Sequence, residues 1–207
     1  MQAKRPYHHA NLKQSLLGAA VHLLAEAGPQ GFTLREVARR AGVSHNAPYR
    51  HFKDKDDLLA AMAAEGFDRL TASMNAAIAE GDSAADRLGL AGRGYVEFAV
   101  GSPQHLVVMF ETTVAGCSPK YAEAGMRAFQ VLLNGIEAVQ AEGGLPEGDP
   151  HPFAVVAWAA VHGLAKLAIA GRLPFDATRT VQFTNYLSQA VLHGMANLPH
   201  PLPPTAG

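Results

Sequence analysis

The side chains able to make specific chemistry with a partner crowd into one short stretch. Ser44, His45, Asn46, Tyr49, Arg50 and His51 lie almost next to one another, with Thr33 and Arg35 upstream and Lys53 and Lys55 downstream. These are hydroxyl, imidazole, amide, phenol, guanidinium and ammonium groups, the types that hydrogen-bond to base edges and phosphates of a nucleic acid. Their chemistry is recognition and not bond-making. No Ser/His/Asp order, metal-ligand spacing or phosphate loop accompanies them, and His105 and Glu111 stand isolated. Gly89-Leu90-Ala91-Gly92 and Gly92-Arg93-Gly94 follow no strand pattern, so neither reads as a nucleotide fingerprint. His8 and His9 are adjacent and cannot share a helix face as paired ligands. No metal, cofactor or enzymatic activity is expected.

The local code around these residues predicts two short helices and a tight turn. Thr33 and Glu36 have the spacing of a capping box, which starts a helix at Leu34. Leu34, Val37, Ala38 and Ala41 form one apolar stripe, and Gly42 supplies the left-handed residue that closes the helix. Ser44 is expected to cap a second helix, His45–His51, too short to stand without packing. Pro48 in that run removes the backbone bond to Ser44, a loss that a first turn tolerates. Phe52 is the apolar anchor, and Asp54 caps the next helix with Asp57 in its first turn. Two helices joined by a glycine turn make a helix-turn-helix, which would present the polar run outward.

The remaining chain reads as all-α, with about nine helices in total. Asn11–Ala27 precedes the motif and stops at Gly28-Pro29, giving a three-helix head. A long helix runs from Lys55 to about Ala79, with Gly66 as a possible bend. Apolar helices follow from Ser83 to Val100, Gln104 to Glu111, Lys120 to Glu142, Phe153 to Ala170 and Thr178 to Leu198. The domain reading is residues 1–54 as a DNA-binding head, 55–80 as a connecting helix, 81–198 as a helical bundle and 199–207 as a flexible tail. Phe153–Ala170 is interrupted by His162, Gly163 and Lys166, so it reads as a buried helix and not as a membrane span. The first residues lack a signal-peptide core, and a cytoplasmic protein is expected.

Charge supports the division. The net charge is only −1, but residues 1–60 hold nine Lys and Arg against five Asp and Glu, while residues 61–207 hold eight against thirteen. A basic head on an acidic body is what contact between one end and DNA requires. The basic arm of residues 1–9 reads equally as a minor-groove arm or a loose tail. Cys117 is the only cysteine, so no intramolecular disulfide forms; it reads as an inert thiol or, less simply, a redox sensor.

The run Phe32-Thr33-Leu34, Val37-Ala38, Ala41-Gly42-Val43-Ser44, Tyr49, His51-Phe52-Lys53 and Lys55 resembles the DNA-binding head of TetR/AcrR-type transcriptional regulators. Pro48 departs from the larger apolar residue most members carry, and Trp158 with His162-Gly163 resembles a signature of one subgroup. The resemblance implies a homodimer formed by the last two helices, double-stranded operator DNA as partner, and a small-molecule effector that releases a repressor. It implies that Ser44, His45, Asn46 and His51 position or read bases, and that Thr33, Arg35, Tyr49, Arg50, Lys53 and Lys55 hold phosphates. Candidate effector contacts are Tyr95, Phe98, Met109, Phe110, Phe129, Trp158 and His162; their scarcity of polar groups suits a mostly apolar ligand. For Trp158 and His162 a packed core tryptophan with a hydrogen-bonded histidine is the slightly favoured reading. A ligand-independent DNA binder and, more remotely, a small-molecule enzyme are the alternatives.

Overall fold

The capping box forms as the spacing demands. In a computed structural model that describes residues 9–112 and 119–198, the Thr33 hydroxyl accepts from the Glu36 amide, and the Glu36 carboxylate accepts from the Thr33 amide at 2.8 Å. Helix α2 (Leu34–Arg40) follows, and it buries Leu34, Val37 and Ala38 against α1 (His9–Ala27). Gly42 has φ +69°, and the amides of Gly42 and Val43 return to the carbonyls of Arg39 and Ala38. That closure is the paired-bond ending in which glycine carries the left-handed residue without a Cβ clash.

Among the described residues there are eight α-helices and one 3-10 helix, and no strand. After α2 come the 3-10 helix Pro48–Arg50, then α3 (Lys55–Ile78), α4 (Ala84–Gly101), α5 (Pro103–Glu111), α6 (Pro119–Ala141), α7 (His151–Ile169) and α8 (Ala177–Ala196). The Asp54 carboxylate accepts from the Asp57 amide and starts α3, as its position predicts. Cys117, the arm before residue 9 and the tail from residue 199 lie outside the described residues.

Two compact units divide the chain. The first combines the described part of residues 1–66 with residues 104–123, so α5 groups with the head. Its core includes Leu16, Leu24, Phe32, Val37, Phe52, Leu58 and Met62. The second combines residues 67–103 with residues from 124 onward. There α4, α7 and α8 pack on one another over a core that includes Leu88, Leu133, Ile136, Phe153 and Met195.

Three expectations are corrected. The recognition segment is not a helix over His45–His51 but a turn followed by the single 3-10 turn Pro48–Arg50. Without a proline N–H, the Ser44 carbonyl is taken by the Ala47 amide at 2.9 Å, and the following bonds keep the tighter spacing, Arg50 to Ala47 and His51 to Pro48. The residue capping that turn is Ala47, with no side-chain bond, and not Ser44. Gly66 is no bend: α3 runs unbroken through it, and a Cβ there would sit 2.6 Å from Met109 Sδ. The residue is needed for close approach of α5. Finally, α7 is not a buried helix. With 19 residues and a mean hydropathy of 1.6 it is long and apolar enough to cross a membrane by length and composition alone, yet only 22% of that apolar stretch is buried.

Candidate functional site

The recognition segment is built from the inside out. Ala47 and Pro48 are buried in the head, and Phe52 is 2% exposed below them. Anchoring these residues leaves Ser44, His45, Asn46, Tyr49 and Arg50 on the outside, all exposed. Thr33 and Arg35 at the start of α2 and Lys53 before α3 are exposed as well. Tight 3-10 spacing therefore keeps the polar run outward where a longer helix was expected.

Three of the basic or polar residues have partners or settings that the sequence did not indicate. The Lys55 ammonium sits 5.1 Å above the Phe32 ring, a cation–π contact within the head. His51 is half-buried, and its Nε2 is shielded from solvent with no hydrogen-bond partner among the described residues. Arg40 is tied to α1 by two bonds to the Glu26 carboxylate, one of them 2.7 Å, which holds that carboxyl below its ordinary range. Arg40 is thus a strut between helices and not a free cation.

The effector candidates fall in both units. Met109 and Phe110 belong to α5 in the first; Tyr95, Phe98, Phe129, Trp158 and His162 belong to the second. Four of the latter touch in a chain. Phe129 meets Trp158 edge-on with ring centres 6.1 Å apart, Trp158 meets His162 at 6.2 Å, and the Tyr95 hydroxyl lies 2.7 Å from His162 Nδ1. The Trp158 indole also hydrogen-bonds to Tyr95. An indole only donates, so the Tyr95 oxygen accepts from it while sharing a second hydrogen bond with His162 Nδ1. Burial pushes the Tyr95 phenol well above its ordinary pKa and lowers that of His162, which keeps both neutral around pH 7. Cores satisfy buried polar groups in just this way.

A cavity of about 340 Å³ lies elsewhere, between α4, α7 and α8. None of the seven candidate residues lines it. Its walls include Leu88, Leu132 and Val191, with Asn185 and Ser188 among its polar groups. The signal for it was the small residues spaced along the helices, Gly89 and Gly92 on α4 and Ala157 and Ala160 on α7. At Gly92 a Cβ would meet Ser188 Oγ at 3.0 Å and Val161 Cγ1 at 3.2 Å, so this glycine serves close helix packing.

The outer face of α7 is apolar, whereas α8 exposes mostly polar residues around Tyr186. Val155 and Val156 on α7 are 51% and 41% exposed, Leu167 is 49% exposed, and Tyr186 on α8 is 68% exposed. Gly163 has nothing within 4 Å of where a Cβ would stand, so no part of the described chain approaches it. Phe175, Phe183 and Tyr186 stack in sequence with centres 5.4 and 5.5 Å apart.

Comparison with known proteins supplies the context. Residues 16–62 match the bacterial regulatory proteins of the tetR family, and residues 88–189 match the tetracyclin repressor-like C-terminal domain. An HTH-type transcriptional repressor of Mycobacterium tuberculosis is 37% identical over 59 residues, which span 28% of this chain and 31% of that protein. The fatty acid metabolism regulator of Bacillus subtilis is 30% identical over 90 residues, 44% of each chain. The chain thus spans less than half the length of these curated relatives. Among solved structures, a Rhodococcus protein of unknown function is 35% identical over 94% of this chain and all of its own, with a TM-score of 0.81. The Bacillus subtilis regulator FadR, solved with stearoyl-CoA, covers 87% of this chain and 98% of its own with a TM-score of 0.73; at 20% identity it shares the fold.

Proposed function

Because the chain belongs to the TetR family, whose members are transcriptional regulators and not enzymes, we propose that it is a homodimeric, cytoplasmic repressor released from operator DNA by a small, mostly apolar ligand. One observation carries this reading: buried Ala47 and Pro48 hold a segment whose Ser44, His45, Asn46, Tyr49 and Arg50 all face outward. In it, residues 1–54 read DNA, 55–80 connect, and 81–198 bind ligand and partner. Ser44, His45, Asn46 and His51 position or read base edges. Tyr49, Arg50, Lys53, Lys55, Thr33 and Arg35 hold phosphates.

A second copy supplies what the single chain lacks. The exposed Val155, Val156, Leu167 and Tyr186 would be covered in a two-fold interface in which the same patch serves both subunits. Pairing also sets two recognition segments against successive major grooves, about 34–36 Å apart. A ligand that binds the releasing form more tightly than the DNA-bound form shifts the population away from the operator.

Fluorescence anisotropy with the chain's own upstream DNA, at two salt concentrations and against random duplex, tests the reading. Preference for the upstream fragment, saturating at two subunits per site, is the expected result. Asn46→Ala should lose about 1–3 kcal/mol of discrimination at one base pair, while Lys53→Ala should weaken all sequences alike and reduce the salt slope by about one. Equal losses on operator and random DNA for Asn46→Ala would remove its base-reading role.

A further inference from the structure

The cavity between α4, α7 and α8 has a chemistry of its own. At about 340 Å³ it lies at the small end of the roughly 300–1,000 Å³ range of small-molecule sites. Its wall is unevenly divided: Leu88, Leu132 and Val191 present carbon, while Asn185 and Ser188 on α8 present neutral hydrogen-bonding groups. Among the described residues, Asp86 is the single charged one that lines it, and it is exposed; no described Lys, Arg or His does so. The Asp86 carboxylate already accepts from the Asp82 amide at 3.2 Å at the start of α4. The aromatic chain from Phe129 through Trp158 and His162 to Tyr95 takes no part in the lining.

We propose that this cavity is a binding site for a small uncharged amphipath, an apolar body with one or two hydrogen-bonding groups. The proposal rests on the reading that the helical body takes an effector, and it assigns that effector a place and a class. Charge sets the ligand class. A carboxylate or phosphate taken out of water without a partner carries a large desolvation cost, and no described lining residue supplies a cation to offset it. Asp86 adds repulsion. A hydroxyl or amide, in contrast, finds matching neutral groups at Asn185 and Ser188 while its hydrocarbon part covers the leucine and valine wall. An anionic ligand such as the stearoyl-CoA of the Bacillus regulator therefore does not suit this cavity.

The matched pair 1-octanol and octanoate, equal in chain and different in head group, tests the site on the full chain without DNA. Titration calorimetry at pH 7.5, with thermal melting as a second readout, should give saturable octanol binding and at least tenfold weaker octanoate binding. A ligand that binds only the folded chain also raises its melting temperature. Ala160→Leu places extra volume in the cavity and should weaken octanol at least tenfold, with helix content by circular dichroism as the control. Gly89→Ala is the second variant. It lies on α4, away from the face proposed to meet a second copy, and its new methyl would stand 3.7 Å from Ser188 Cβ, an ordinary contact. It should weaken octanol several-fold while the fold is kept. Failure of both probes to bind, octanoate binding as tightly as octanol, or folded variants that keep wild-type affinity would each overturn the proposal. Anisotropy on operator DNA separates this from the larger reading: absence of operator binding, with octanol still lost in Ala160→Leu, removes the regulator and leaves the site.

Discussion

The outward face of the recognition segment carries mostly hydrogen-bonding side chains, whereas the outward face of α7 is largely carbon. Ser44, His45, Asn46 and Arg50 stand over a core closed by Ala47, Pro48 and Phe52, and that core lies within one chain. Helix α7 instead leaves Val155, Val156 and Leu167 open beside Tyr186 of α8. The difference teaches that the two regions have different needs. The head is complete as packing and presents groups that seek a polar partner. Helix α7 is incomplete as packing and calls for apolar cover.

The strongest challenge to the head's completeness is Phe52→Ala. Removing a ring that is 2% exposed should cost about 3–5 kcal/mol, read as a lower urea midpoint with loss of DNA binding. A loss below about 1 kcal/mol would mean that the head is not closed by its own core. Val156→Asp tests the other side. In a two-fold interface the charge enters twice, at a cost of several kcal/mol per buried ion, so sedimentation should show monomers with unchanged helix content. An unchanged mass would end the contrast, since the exposed carbon would then need no partner.

Smaller effects sharpen the comparison. Thr33→Ala removes the capping-box hydroxyl and should lower stability by about 1 kcal/mol, with equilibrium denaturation as the measure. The smallest effect belongs to His162, whose folded pKa is depressed by burial. The unfolded imidazole, near its ordinary value of about 6.5, takes up a proton at higher pH than the folded one. Its contribution to stability is therefore complete above about pH 6.5 and is lost as pH falls through the depressed folded value. Urea midpoints at pH 7.5 and 5 should fall further for the wild type than for His162→Gln; equal falls would mean that His162 is not the group responsible.

Much of the head was legible because its determinants are local. Thr33 and Glu36 are three residues apart and cap each other, Gly42 takes the left-handed conformation, and Asp54 starts α3, all through bonds that span a few residues. The helices were legible from apolar spacing, since side chains recurring every three or four residues lie on one face. Pro48 was visible too, but how far it would shorten the second helix was not. Spacing alone does not weigh a lost N–H against the packing of Ala47.

What the sequence by itself determined was that the chain is all-helical and roughly where its longer helices run, because caps and stripes act along the chain. What only the tertiary structure decided was everything that depends on approach between distant segments. Tyr95 and His162 are 67 positions apart, yet share a 2.7 Å hydrogen bond. Gly66 looked like a bend and is a contact for Met109, and Gly89 and Gly92 looked like an empty motif and face α8. The same glycine serves a turn, a hinge or a close approach, and only the neighbour that arrives determines which.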